Sequence, residues 1–151
     1  MDKYNMKKLS EQEFRELVKN EHLKGSFKGD PHRMQVDFKT DKNSEDFFAI
    51  AYFDGDETVA FCGLDVYKTL KGQFGMIHAL GVTKNYRGKR YSTPVLLEIE
   101  KQAREKYPNI SILSICNPIS ARSHISAGYT VTHPGRLSKT GKRMQIRLIK
   151  E

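Results

Sequence analysis

Residues 86–92 read Tyr86-Arg87-Gly88-Lys89-Arg90-Tyr91-Ser92. Arg87, Lys89 and Arg90 crowd positive charge around one glycine, and such a loop suits anions. The apolar run before it, GMIHALGV over residues 75–82, reads as a strand, and a helix begins at about Ser92. Successive backbone N–H groups ahead of a helix N-terminus form a nest for phosphate or pyrophosphate oxygens. A basic turn with solvated side chains is the competing reading of the same residues. His78 lies inside the apolar run, on the same face as Met76, because strand side chains repeat every two residues. Imidazole, titrating near ~6.5, can accept a proton around neutrality. The alternative for His78 is a strand histidine satisfied by a local hydrogen bond. Cys62 and Cys116 each sit in an apolar run, so we expect buried free thiols, with neither a disulfide framework nor a metal site.

The elements that would position these groups follow from pattern. Ser10 with Glu13 forms a capping box, and Phe14, Leu17 and Val18 are spaced for an amphipathic helix to about Glu21. Residues 24–45 have weak periodicity and contain Gly25, Gly29 and Pro31; they read as loop, with a short helical piece near 32–38. Residues 47–53 and 58–68 read as two strands joined by a turn at Asp54-Gly55. After Lys71-Gly72, residues 73–82 form a third strand that ends at the basic loop. Thr93 or Ser92 caps the next helix, with Pro94 near its first position. Leu96, Ile99, Ala103 and Tyr107 form its apolar stripe, and Pro108 stops it. Residues 110–116 form a buried strand and 119–127 a helix ending at Gly128. Residues 129–133 form a strand, and 134–142 connect it to a final strand in which Met144, Ile146 and Leu148 alternate with polar residues. This order predicts an α/β sandwich built on a mixed sheet.

The 151 residues suffice for one domain with a real core. No apolar run approaches the ~20 residues of a membrane span, and residues 1–14 contain no apolar signal core. With the free thiols, this favours a reducing, cytoplasmic setting. The formal charge of +8 is unevenly placed. Residues 1–82 hold 12 Lys/Arg against 14 Asp/Glu, and residues 83–151 hold 14 against 4. The second half therefore attracts phosphates, of a cofactor or of nucleic acid, unless it is simply a solvated basic surface.

Together the motifs resemble the GCN5-related N-acetyltransferases, from about residue 47 to 150. That family carries a strand ending in Val, a loop of the form Tyr-Arg-Gly-Lys-Gly-x-Gly and a helix with Leu-Leu. Here the strand ends at Val82, the loop is 86–92, and the helix contains Leu96-Leu97. A second family feature is an Asn after the next strand, with Gly-Phe or Gly-Tyr eleven and twelve positions on; Asn117 with Gly128-Tyr129 matches. The resemblance implies a single domain over 1–151, with an N-terminal helix and acceptor-side loop in 1–45 and a core in 47–150. It implies a mostly antiparallel sheet flanked by helices. It implies acetyl-coenzyme A as co-substrate and acetyl transfer by direct attack of an amine, from a small molecule or a protein. Backbone groups of Leu80 and Val82 would meet the pantetheine arm, Asn117 would bond it, and Arg87, Gly88, Lys89, Arg90, Tyr91 and Ser92 would hold the pyrophosphate. His78 stands near the place of the family's base, where a Glu is common six residues before the Val and Met76 is found here. His124 stands where many members have a Tyr that protonates the leaving thiolate, and would be the acid; a partly exposed helix histidine is the alternative.

Arg90 and Ser92 replace glycines of the family loop. If position 90 needs positive φ, a Cβ there costs roughly 1–2 kcal/mol. Three outcomes follow: coenzyme A bound with adjusted geometry and an extra cation, a different phosphate compound, or a basic surface for another partner. A protein of this fold that binds or modifies nucleic acid through its basic half is the second functional reading. The acceptor itself has no legible motif.

Overall fold

The computed structural model describes residues 4–25, 43–116, 118–137 and 144–151. The expected helical piece near 32–38 lies outside them. Seven strands form one sheet in the order β1-β2-β3-β4-β5-β7-β6, with β1 Tyr4–Lys8, β2 Asp46–Asp54, β3 Glu57–Thr69, β4 Gly72–Val82, β5 Ser111–Cys116, β6 Thr130–Leu137 and β7 Met144–Lys150. Every neighbouring pair is antiparallel except β4 with β5. Helix α2, Ser92–Lys106, makes the crossover between those two. The sheet is thus mixed and mostly antiparallel, as the sequence pattern and the family resemblance together suggest.

The strand period of two divides the sheet into faces. Ile50, Cys62, Leu64 and Val66 point to the face covered by α2 and by α3, Pro118–Ser126. Ala49, Ala51 and Phe61 point the other way, where α1, Glu11–Leu23, lays down Phe14 and Val18. Ser10 caps α1 in a full capping box with Glu13. Two departures from pattern are informative. β1 was not expected, because in YNMKK only Tyr4 and Met6 alternate with polar residues, too short a pattern to mark a strand; backbone pairing with β2 makes it one. Residues 134–137, expected as connection, continue β6, because pairing with β7 extends through Leu137.

Two irregularities shape the centre of the sheet. β4 and β5 pair only through Phe74↔Ser111, Gly75↔Ile112 and Met76↔Leu113. Beyond Met76, β4 follows β3 to Val82, while β5 follows β7 to Cys116. A wedge opens between them. On its β3 side β4 has a bulge: the register shifts between Phe61 and Gly63, so that Ala79 and Leu80 together face Cys62. Ala79 takes φ 49 there, a left-handed value that is uncommon outside glycine.

Candidate active site

The wedge is lined on one side by backbone that its own strand leaves unpaired. Thr83 N–H donates to the Val59 carbonyl at 2.9 Å, so residue 83 belongs to a hydrogen-bonded pair with β3. Alternation then turns the N–H and C=O of Val82 away from β3, into the wedge. The Val82 carbonyl accepts from Arg87 Nε at 3.2 Å, which folds the start of the basic loop back over the end of β4.

The loop is held at both ends by tyrosines. Tyr86 Oη lies 2.7 Å from Glu57 Oε2 and 2.9 Å from Asp54 Oδ2, and so ties the loop to the β2–β3 turn. The Glu57 hydrogen bond, with burial and Asp54 adding to it, pushes the phenol well above its ordinary range. The Tyr91 ring packs edge-on between Tyr86 and Tyr52, 5.9 Å from each. Between these anchors Gly88 has φ 80 and Arg90 has φ 60. Arg90 therefore keeps the left-handed backbone that glycine supplies without strain, although it carries a Cβ. Arg90 in the left-handed region followed by Tyr91 at φ −66, ψ −17 turns successive N–H groups to one side, which is the geometry of an anion nest.

Helix α2 starts at Ser92, directly after that nest. Thr93 or Ser92 is the cap that the sequence suggests, but both lie inside the helix, and the N-cap is Tyr91, with no side-chain cap. The Thr93 hydroxyl is turned instead to the Ser123 carbonyl of α3, at 3.3 Å. The first turn of α2 carries no acidic residue. An uncapped helix end with Arg87, Lys89 and Arg90 exposed around it has N–H groups and positive potential in place for an anion. Ser92 is buried, and the half-buried Tyr91 ring points inward, so these two would contribute backbone rather than side chain.

His78 immediately precedes the bulge. It pairs with Gly63, and a Cβ at Gly63 would meet the Phe47 and Phe14 rings, so His78 belongs to the α1 face. Its side chain is 34% exposed, and its Nδ1 lies 2.6 Å from Oδ2 of the fully buried Asp65. The approach is an ion contact rather than a well-angled hydrogen bond: neither carboxylate oxygen of Asp65, nor Nδ1, meets hydrogen-bond geometry with another described group. Asp65 was visible in the sequence only as one of several acids in the first half. A sharper signal existed: it is the single charge inside AFCGLDV, and counting back from the Lys71-Gly72 turn sets it opposite Met76, diagonal to His78.

His124 lies on the other face and is fully buried. Its Nδ1 lies 2.8 Å from the Ser120 carbonyl and its Nε2 2.7 Å from Ser114 Oγ. A carbonyl only accepts, so Nδ1 carries the proton, and neutral Nε2 accepts from the serine. Burial holds this imidazole's pKa below its ordinary value, against a smaller opposite effect of the Ser120 carbonyl. Its ring stands edge-on to Tyr129 at 5.1 Å. The arrangement pins α3 to β5. The partly exposed histidine weighed as an alternative from sequence is not what the structure contains.

Cys62 is buried and Cys116 half-buried; both are free, and burial pushes the Cys116 thiol up to about 11. Leu80 and Val82 are half-buried at the wedge. Asn117 lies outside the described residues. His78, the bulge, the outward edge of Val82 and the 87–92 loop thus adjoin one opening in the sheet, whereas His124 points into the core beside it.

Residues 11–128 match the family model of the acetyltransferase (GNAT) family, and the chain belongs to that family. No curated protein matches it by sequence. Solved structures share the fold at low identity. Escherichia coli ElaA superposes with a TM-score of 0.70 at 15% identity, covering 97% of this chain and 99% of its own. An acyl-CoA N-acyltransferase from Pseudomonas aeruginosa gives 0.66 at 9%, covering 98% and 99%. An aminoglycoside 6'-N-acetyltransferase in complex with coenzyme A gives 0.65 at 14%, covering 97% and 96%. No helix among the described residues is long and apolar enough to cross a membrane.

Proposed function

We propose that this protein is an N-acetyltransferase that binds acetyl-coenzyme A along the β4–β5 wedge and acetylates an amine delivered from the α1 face. One observation carries the proposal: the outward backbone edge of β4 runs straight into an anion nest at an uncapped helix N-terminus. The residues fit the group. Peptide-like pantetheine matches the outward N–H of Val82 and the second lone pair of its C=O, the first being taken by Arg87, and Leu80 gives the arm an apolar wall. Pyrophosphate matches the N–H groups of residues 88–92, with Arg87, Lys89 and Arg90 supplying charge. When bound, the thioester supplies an activated acetyl group for attack by the amine nitrogen.

The chain's own contribution is alignment and proton handling. Binding from opposite faces of the wedge brings two reactants into one geometry, which converts a bimolecular step into a local one. His78, on the acceptor face and partly exposed, takes the proton that the amine nitrogen must shed as it bonds to carbon. His124, with both nitrogens engaged in the core, acts as a brace between α3 and β5 rather than as the acid. Water then supplies the proton to the departing thiolate. Asn117 retains its proposed contact with the pantetheine arm. The nucleic-acid reading rests on charge alone, and most of its basic segment, residues 138–143, lies outside the described residues.

The test is thermal unfolding with acetyl-coenzyme A. At ~100 times the dissociation constant a ligand adds about 2.7 kcal/mol, a rise of roughly 5–10 °C for a chain of this size. No rise with acetyl-, propionyl- or unacylated coenzyme A at millimolar concentration would count decisively against the proposal.

A further inference from the structure

Asp65 is fully buried in the middle of β3, between Leu64 and Val66, which are buried to the same degree. A carboxylate in such a place is costly unless a cation or strong donors meet it. Among the described residues, His78 is the ionisable partner that meets it, through Nδ1 at 2.6 Å. The contact is a cross-strand diagonal: Asp65 pairs with Met76, and His78 pairs with Gly63. Glycine leaves the position directly opposite His78 without a side chain, so the imidazole can lean toward Asp65.

We infer that Asp65 is a positioning residue that holds His78 with its Nδ1–H turned inward and its Nε2 offered to the acceptor amine. This rests on the proposed role of His78 as base. An ionised carboxylate has only acceptors, so Nδ1 must carry the proton when the ring is neutral. Nδ1 is enclosed, so a proton exchanged with the acceptor passes through Nε2. In the transfer, Nε2 gains the amine proton, and the ring becomes an imidazolium whose charge faces Asp65 across 2.6 Å. The carboxylate thereby favours the charged state at the moment it forms, without itself taking the proton.

Two measurements test the assignment. In ¹⁵N-labelled full-length protein at a pH where the ring is neutral, the His78 Nδ1 resonance should be that of a protonated nitrogen and Nε2 that of an unprotonated one. The opposite tautomer would overturn the inference, and this reading needs neither a variant nor activity. With acetyl-coenzyme A and a primary-amine panel (an aminoglycoside, a dipeptide and an arylalkylamine), Asp65→Asn should lower kcat about 10–100-fold, as loss of a partner behind a working imidazole does. The acceptor KM should stay within roughly threefold. The same substitution in a His78→Ala background should cost no further activity; an equal loss in both backgrounds would mark Asp65 as structural only. If His78→Ala is fully active while the spectrum shows the inward Nδ1–H, the base assignment falls and Asp65's catalytic purpose with it, whereas the pairing survives. Should Asp65→Asn fold poorly, Asp65→Ser replaces it in the same cycle.

Discussion

Two histidines flank the wedge and have been given opposite properties. His78 stands on the α1 face, a third exposed, with a buried carboxylate behind it. His124 stands on the α2–α3 face, fully buried, between a serine hydroxyl and a helix carbonyl. The first has an anion to balance a gained proton and a route to solvent. The second has neutral partners that occupy both nitrogens. In the proposed mechanism the same side chain therefore serves as proton acceptor in one place and as structural brace in the other. The difference comes from neighbours distant in sequence: Asp65 for His78, Ser114 for His124.

Kinetics give the largest expected contrast. His78→Gln should lower kcat for acetyl transfer by about 10²–10⁴-fold, with His124→Asn losing no more than roughly tenfold. A reversed order would invert the two roles. Stability should show the reverse pattern. His124→Ala removes a buried ring and strands the Ser114 hydroxyl and the Ser120 carbonyl, at a cost of about 3 kcal/mol, or roughly 6–12 °C in Tm; a calorimetric loss near zero would contradict the brace.

The pH dependence of stability sharpens the same contrast. Because burial lowers the folded-state pKa of His124, the unfolded chain binds its proton more tightly than the folded one. Its contribution is fully present above the unfolded value of ~6.5 and is lost as pH falls through that value toward the folded one. The unfolding free energy should decline between pH 7.5 and 5, by up to about 1.4 kcal/mol per pH unit, and His124→Asn should flatten that slope. The smallest effect concerns the loop. Arg90→Gly relieves left-handed strain but frees the unfolded chain, a net gain of about 0.5–1 kcal/mol, while loss of one cation weakens coenzyme A binding. Tighter binding in that variant would mean that Arg90 hinders the nest rather than serving it.

Much of this was legible from residues alone. Turn chemistry at Asp54-Gly55, the capping box at Ser10 and the run 110–116 placed β2, β3, α1 and β5, because local pattern and tertiary packing agree there. The loop at 87–92 was legible because its charge and its place between strand and helix are both local. β1 was not, since it is a strand only through pairing with β2. Nor was the wedge, which depends on where β4 and β5 stop pairing, or the left-handed Ala79 at the bulge. Asp65 and His78 lie in separate strands, and their contact needs a register that a two-residue shift would abolish. Arg90 is a middle case: the position was recognisable as one that wants glycine, and the backbone there has kept glycine's conformation with arginine in place.

The most direct test of the whole account is a crystal structure with acetyl-coenzyme A bound. The account predicts pyrophosphate oxygens on the backbone N–H groups of residues 88–92, pantetheine against the outward edge of Val82, and the thioester at the bulge, where an amine arriving from the α1 face meets Nε2 of His78. A cofactor seated elsewhere, or a thioester remote from His78 and in contact with an outward-turned His124, would contradict it.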